Sequence, residues 1–252
     1  MTAAVPADKV FLTRRYSDAW RSGEIAEAGN AALPDRPARP ARPELRMPRD
    51  MPKRRMGGDA GRAAFVHAIA HIELNAIDLA WDITARFTGE DLPRAFYDDW
   101  VQVARDEADH FDMLSRRLEG LGHAYGDMPA HDGLWQAATE TADDLLARLA
   151  MVPMVLEARG LDTTPVAVRR LTEAGDAETA AILERIGDEE IPHVAAGVRW
   201  FDFLCERRGL DPATAFQELI RSRFKGQIKG PFNQDARAQA GFPERYYLPL
   251  AA

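Results

Sequence analysis

The pattern Glu-x-x-His occurs twice in this chain, once at residues 107–110 and once at residues 190–193. A solitary glutamate inside an apolar stretch precedes each copy, at Glu73, 34 residues before the first motif, and at Glu157, 33 residues before the second. Four carboxylates and two imidazoles in this order match the ligands of a dinuclear metal site inside a four-helix bundle. The predicted ligands are Glu73, Glu107, His110, Glu157, Glu190 and His193.

Helical phase places the six candidates on apolar helix faces. Val66, Ile77 and Ala80, for example, share a face with Glu73 when residues are spaced by 100°. Burying carboxylates costs several kcal/mol each unless cations compensate their charge, and two divalent metals would balance four carboxylates. The alternative, surface residues with accidental spacing, explains one motif more easily than two motifs with matching separations.

An acidic residue directly precedes each motif, and we expect both to support the ligands. Metal-bound imidazoles usually donate their second N–H to a carboxylate, which fixes the ring. On facing helices, Asp106 would reach His193 and Glu189 would reach His110. The alternative is that both acids face solvent. No catalytic residue is predicted beyond the metal ligands, and no site for an organic cofactor.

Apolar periodicity and end signals predict an all-α fold, a four-helix bundle with one long crossover. The crossover is the Gly- and Pro-containing segment 122–133 between the second and third helices. Asp211 and Pro212 signal a further short helix. The bundle helices are predicted at 61–87, 92–121, 133–160 and 175–208, and the short one runs to about residue 224.

The ends of the chain lie outside this bundle. We predict a helix over 8–29 and then an arm rich in Pro and Arg, so that the domains are 1–59, 60–224 and an extended tail at 225–252. The arm carries eight basic residues between Pro34 and Arg55 and little apolar surface. A solvated strap is the expected role of such a charged stretch, and a contact with an anionic partner is the alternative.

Composition excludes several classes of protein. The formal net charge of −8 argues against a dedicated nucleic-acid binder. A single cysteine, Cys205, excludes an internal disulfide, is expected to be a core thiol, and fits a reducing compartment. Residues 1–8 lack a signal-peptide pattern, and no run approaches the roughly 20 apolar residues of a membrane span. We expect a cytoplasmic, water-soluble protein, either a monomer or a small homo-oligomer.

Four histidines and two prolines need separate interpretation. His67 and His71 are spaced like a metal pair, but their helical phase turns them away from Glu73, which indicates a packing or surface role. His123 and His131 lie in the crossover, where solvated histidines are common. Pro153 and Pro192 each remove a backbone hydrogen bond beside a predicted ligand and should kink or bulge their helices.

With these motifs, the chain resembles the ferritin-like di-iron carboxylate superfamily. The Asp-Glu-x-x-His form at residues 106–110 looks like the motif of its monooxygenase and reductase members. The segments HIELNAIDLAWD, GDMPAHDGLW and MVPMVLEARGLDTTP resemble, more closely, a bacterial ferritin-like family known mainly as a domain of unknown function. This resemblance covers about residues 60–245, and it implies bridging roles for Glu107 and Glu190. Glu189 departs from the monooxygenase pattern, which has Asp at that position.

Mixed Glu and His ligands suit iron or manganese better than zinc, so two iron ions are expected, with manganese or a mixed pair as alternatives. The expected function is an O2-activating oxidoreductase acting on a small molecule, with O2 as co-substrate. The alternatives are iron handling, by ferroxidation or peroxide scavenging, and a tRNA-modifying hydroxylase, which only the basic arm supports. The sequence identifies neither the substrate nor the electron donor.

Overall fold

The computed structural model of the protein describes residues 1–47, 50–51 and 58–252. Helices make up most of these residues, and the strands found among them are two-residue segments. The predicted all-α class is therefore confirmed. The chain forms two compact units, Met1–Gln136 and Ala137–Ala252. The domain boundaries predicted from the sequence stay a prediction.

The first unit is built on two long helices, α2 (Gly58–Arg86) and α3 (Arg94–Gly120), which pack against each other. They lie close to the predicted 61–87 and 92–121. Buried residues occur all around α2, whereas those of α3 lie on an amphipathic pattern that includes Phe96, Trp100 and Leu114. The two helices thus supply most of the apolar core of this unit.

Helix α1 (Pro6–Arg21) packs on α3. The indole N–H of Trp20 donates to Asp98 Oδ1 at 2.7 Å, and Arg14 Nε donates to Asp109 Oδ1 at 2.7 Å. The prediction of a helix continuing to residue 29 was wrong. The helix ends at Arg21, and Gly23 follows with φ 81°, a conformation that glycine adopts without strain.

The arm that follows α1 is fastened to the first unit. Arg39 donates to Asn75 Oδ1 on α2, and its side chain is only 15% exposed. Further along, the strand β1 (Leu45–Arg46) pairs in parallel with β2 (Ala130–His131). The described part of the arm is therefore a strap held by specific contacts. The basic residues Arg49, Lys53, Arg54 and Arg55 of the predicted arm lie outside the described residues.

In the second unit, α5 (Leu145–Met151) continues into a π-helix (Val152–Glu157) and then into α6 (Ala158–Glu173). This continuous stretch packs on α7 (Ala177–Arg208). Asp176 caps α7 by accepting from the Thr179 N–H at 3.1 Å, and Gly209 ends it with φ 64°. The later elements are α8 (Pro212–Arg223), α9 (Gln234–Gln239), α10 (Glu244–Tyr247) and a 3-10 turn (Leu248–Leu250).

Two predictions about this half of the chain were wrong. The helix predicted at 133–160 is interrupted after α4 (Gly133–Glu140), and α5 begins anew at Asp144, whose side chain accepts from Leu146 N–H at 3.0 Å. The helical stretch that begins with α5 then continues past Pro165 to Glu173. The tail is not simply extended either, because α9 and α10 form within it.

Helix α2 is long and apolar enough to cross a membrane by length and composition, with a mean hydropathy of 1.2 in its most apolar window. However, 78% of that window is buried inside the protein. A core helix of a water-soluble protein has the same character. Packing therefore accounts for the apolar sequence of α2.

Candidate metal centre

In the first unit, the structure brings Glu73 of α2 together with Glu107 and His110 of α3. His110 Nδ1 lies 3.5 Å from Glu73 Oε2 and 3.6 Å from Glu107 Oε2. One ligand atom of each residue lies within 4.8 Å of the ligand atoms of the other two. All three side chains are buried, as are the apolar residues Ala104, Leu114 and Ile77, which stand one turn away from them on the same helices. Three of the predicted ligands therefore form one cluster.

Helix geometry explains how α3 supplies two of these groups. Residues three apart lie on the same helix face, so the Glu-x-x-His spacing points both side chains of α3 in one direction. Asp109, between them in the sequence, points elsewhere and pairs with Arg14 of α1 at 2.5 Å. Of the acidic residues in this motif, Glu107 thus points into the core and Asp109 points towards α1.

The carboxylate of Glu73 is in an unfavourable environment for a charge. Burial raises its pKa well above the usual range, and the neighbouring Glu107 carboxylate raises it further. Its Oε2 atom is buried and makes no hydrogen bond of normal geometry within the described residues. A buried carboxylate oxygen without a donor is costly unless a cation or proton binds there.

Burial alone would lower the pKa of His110, but the carboxylates of Glu107 and Glu73 outweigh that effect and raise it to about 11. The imidazole therefore holds a proton between the two acids when no other cation is present. Carboxylate oxygens and an imidazole nitrogen converging in a buried site form a donor set for a metal ion. The cluster can hold a metal ion in place of this proton.

The second unit contains the other Glu-x-x-His motif. On α7, His193 Nδ1 lies 3.3 Å from Glu190 Oε2, and both residues are buried. Glu190 Oε2 makes no hydrogen bond within the part of the chain that the structure describes. The arrangement within each motif is thus the same in both units, an imidazole nitrogen facing its own carboxylate.

Glu157 is the last residue of the π-helix, and its Oε2 atom is buried. The predicted distortion near Pro153 is confirmed, because this proline stands in the first turn of the π-helix. Pro192, by contrast, stands inside α7, which continues as an α-helix. The π-helix therefore determines which way Glu157 points. That all six residues form one site stays a prediction.

The two acids expected to support the imidazoles have neighbours on their own helices. Asp106 accepts from Gln102 Nε2 at 2.7 Å, and Glu189 accepts from Arg185 Nε at 3.0 Å. Each donor stands one turn before its acid. The predicted contacts of these acids with His193 and His110 stay predictions.

His67 and His71 pack against the crossover and lie outside the cluster, as expected. His67 Nε2 accepts from the Gly126 N–H at 2.9 Å. His71 Nε2 lies 3.1 Å from the His131 carbonyl, so it must carry the proton, and Nδ1 then accepts from the Tyr125 hydroxyl at 2.8 Å. Burial, with Arg39 nearby, lowers the pKa of His71 to about 4 and keeps this ring neutral.

Sequence reasoning missed Tyr125 and Arg14, which both contact residues beside the cluster. Tyr125 stacks on His67 with ring centres 5.3 Å apart, and it meets the ring of Phe111 edge-on. Arg14 ties α1 to the middle of the first motif. Only the fold brings these residues to the motif, so no local sequence signal could have identified them.

Fold and site together define a class, an all-α protein with a buried Glu/His cluster that can hold a metal ion. The chain belongs to the family described as a protein of unknown function, DUF455, whose model matches residues 2–248. It is similar to an uncharacterized protein of Haemophilus influenzae, with 45% identity over 229 residues, 88% of this chain and 77% of that protein. No solved structure matches the chain. The family match includes the N-terminal helix and arm, which the sequence resemblance did not cover.

Proposed function

We propose that the two motifs, each with the solitary glutamate that precedes it, supply the ligands of one dinuclear metal centre. Glu73, Glu107 and His110 would come from the first unit. Glu157, Glu190 and His193 would come from the second. The repeated ligand order supports this proposal, as does the similar geometry inside each motif. The observation that carries it is the buried Glu73 oxygen beside Glu107 and His110, a site that needs a cation to hold its carboxylates charged.

Iron is the proposed metal, with manganese as the alternative. Zinc sites usually have four ligands, rich in cysteine and histidine, whereas carboxylates with few imidazoles suit iron and manganese. Two divalent ions also balance four carboxylates, which makes burial of all four compatible with a stable core. The metal pair and the ferritin-like relationship are proposals that rest on the ligand set.

The proposed activity is that of an O2-activating oxidoreductase on a small-molecule substrate. When bound, the metal pair would supply the electrons and the oxygen-binding positions that amino-acid side chains lack. The protein contributes ligands held by two long helices and an apolar surround that excludes water. Leu114, Ile77 and Ala104 form part of that surround, and each is at most 1% exposed. A cytoplasmic location is proposed because the one cysteine is buried and unpaired.

Metal analysis tests the proposal directly. Protein reconstituted with Fe(II) without oxygen, then desalted, should retain about two irons per chain. Glu73→Gln and His193→Ala should each lower that number, whereas Glu119→Gln, an exposed acid on α3, should not. Fewer than about one iron or manganese per chain in the wild-type protein would overturn the dinuclear assignment.

Oxygen consumption then separates the proposed activity from iron handling. Air is added to the iron-loaded protein, and oxygen uptake and absorption are followed with and without a pool of cell metabolites. Faster uptake with one metabolite, accompanied by its oxidation, supports the oxidoreductase and identifies the substrate. Uptake that depends only on added iron, with accumulation of ferric iron, supports iron handling instead.

A further inference from the structure

A second candidate site lies in the first unit, in a cavity of about 410 Å3 beside α1. Its walls come from Met1, Thr2, α1, α2, α3 and the segment 25–34. None of the three clustered ligands of this unit lines it. The volume lies within the roughly 300–1,000 Å3 typical of small-molecule pockets. The cavity is therefore large enough for a ligand of its own.

Four aromatic rings belong to the lining of this cavity. Tyr16 and Trp20 come from α1, Trp81 from α2 and Tyr97 from α3. Trp20 and Tyr97 are in contact, with ring centres 6.1 Å apart and planes inclined by 51°. The N–H groups of both indoles are already bonded, to Asp98 and Thr13, so these rings offer the cavity carbon surfaces and π-electrons.

The segment 25–34 contributes aliphatic residues and one charged side chain to the lining. Ala28, Ala31, Leu33 and Pro34 belong to it. Among the described residues that line the cavity, Glu27 has the only charged side chain, and it has no ion-pair partner within the described chain. Met1 also belongs to the lining, but its ammonium group is paired with Asp78 Oδ1 at 3.8 Å. Aromatic faces and a carboxylate both attract cations, and no basic side chain of the lining competes with them.

The same rings already show this chemistry at two positions, one of which is the guanidinium carbon of Arg15 at 5.8 Å from the centre of the Tyr16 ring. The guanidinium carbon of Arg94 lies 4.3 Å from the centre of the Trp20 ring, within the range of a cation–π contact. Arg94 is not part of the cavity lining. A ligand with a positive charge could therefore use the remaining ring surfaces, with Glu27 as its counter-charge.

We propose that this cavity binds a small organic cation, an alkylated ammonium group carried by a soluble small molecule. The aromatic rings contact the ammonium group, the aliphatic residues cover its alkyl substituents, and Glu27 balances its charge. Anionic ligands are disfavoured by the same carboxylate. The proposal does not depend on the metal centre, because it uses other residues and needs no metal.

The test compares choline with 3,3-dimethylbutan-1-ol, which has the same shape but no charge, by calorimetry on the full-length protein. We expect saturable choline binding with a dissociation constant below about 1 mM, and binding of the neutral analogue at least ~10-fold weaker. Equal binding of the two compounds would overturn the proposal, because the cavity would then recognise only apolar shape. Absence of choline binding would overturn it too.

Matched variants locate the binding. Tyr16→Leu should weaken choline binding about 3- to 30-fold, while Phe11→Leu, an exposed aromatic on the same helix outside the cavity, should not.

Glu27→Gln should weaken choline binding about 3-fold or more at low salt, and Glu24→Gln, exposed in the same segment, should leave it unchanged. Since these residues are largely exposed, all four variants should melt near the wild-type temperature. Choline binding that both Tyr16→Leu and Glu27→Gln leave intact would contradict the assignment to this cavity.

Discussion

Gly197 of α7 lies directly against the ring of Pro153 in the π-helix. A Cβ atom at Gly197 would come within 2.5 Å of Pro153 Cβ and 2.6 Å of its Cγ, closer than real carbon atoms approach. Glycine is therefore required for the two segments to pack as they do. Because Glu157 ends that π-helix and His193 stands one turn before Gly197, this contact lies beside two of the three candidate ligands of the second unit and helps to position them.

Replacing Gly197 by alanine should displace the π-helix. We expect the overpacking to cost about 1–3 kcal/mol of unfolding free energy and to lower the amount of retained iron. Denaturant unfolding and metal analysis measure these effects. Gly160→Ala on α6 is the control, since a Cβ there meets no atom within 4 Å, and it should be neutral or slightly stabilising. A Gly197→Ala protein with wild-type stability would show that the packing adapts easily.

Metal binding should stabilise the fold. A ligand that binds only the folded protein adds about 2.7 kcal/mol at a free concentration 100 times its dissociation constant. Fe(II) under anaerobic conditions, or Mn(II), should therefore raise the melting temperature of the wild-type protein, and a chelator should reverse the rise. Glu107→Ala should abolish the rise, and Glu119→Ala should retain it. An unchanged melting temperature in the wild-type protein would contradict metal binding at the cluster.

Cys205 should resist thiol reagents in the native protein. The side chain is fully buried, and burial raises the pKa of its thiol to about 12. The unfolded chain ionises this thiol near pH 9 and the folded chain does not, so the contribution of Cys205 to stability falls as pH rises above 9. Cys205→Ala removes that contribution, and wild-type stability should fall relative to it between pH 9 and 10. Rapid labelling of the native thiol at pH 8 would contradict this account.

The C-terminal segment should depend on one buried ion pair. Arg237 donates to Asp162 from Nη2 at 2.7 Å and from Nε at 2.9 Å, and its guanidinium also lies 4.4 Å from the ring centre of Tyr247. Arg237→Ala would leave the buried Asp162 carboxylate with only the partly exposed Arg159, whose Nη1 lies 3.6 Å from its Oδ2, so we expect a cost near the lower end of about 3–5 kcal/mol. Arg169→Ala, an exposed position on α6, should change stability by less than about 0.5 kcal/mol. Urea unfolding of both variants checks the difference.

Local signals in the sequence predicted the helical class and most of the long helices. Gly209 and the pair Asp211 and Pro212 mark boundaries that the structure reproduces, because caps and glycine ends depend on neighbouring residues only. The Glu-x-x-His spacing likewise predicted which side chains of α3 share the core face. For Glu107 and His110 this prediction is confirmed within the first unit.

Long-range contacts account for what the sequence did not predict. The short helices of the tail are held by a long-range contact, because Arg237 donates a hydrogen bond to Asp162, 75 residues earlier in the chain. The third bundle helix was predicted to end near residue 160, yet α6 continues through Pro165 to Glu173. The break before α5 did have a local signal, since Asp144 is a favourable N-cap residue, but its apolar surroundings suggested a continuous helix.

The π-helix also bears on how such a site can change over evolution. A π-helical turn holds one more residue than an α-helical turn, so it is equivalent to a one-residue insertion absorbed within a helix. Deleting one residue between Val152 and Glu157 would restore α-helical winding and rotate everything on one side by about 100° relative to the other. A single-codon insertion or deletion could therefore redirect Glu157 without replacing any ligand. Length variation in this segment among relatives would mark proteins whose centre has been remodelled.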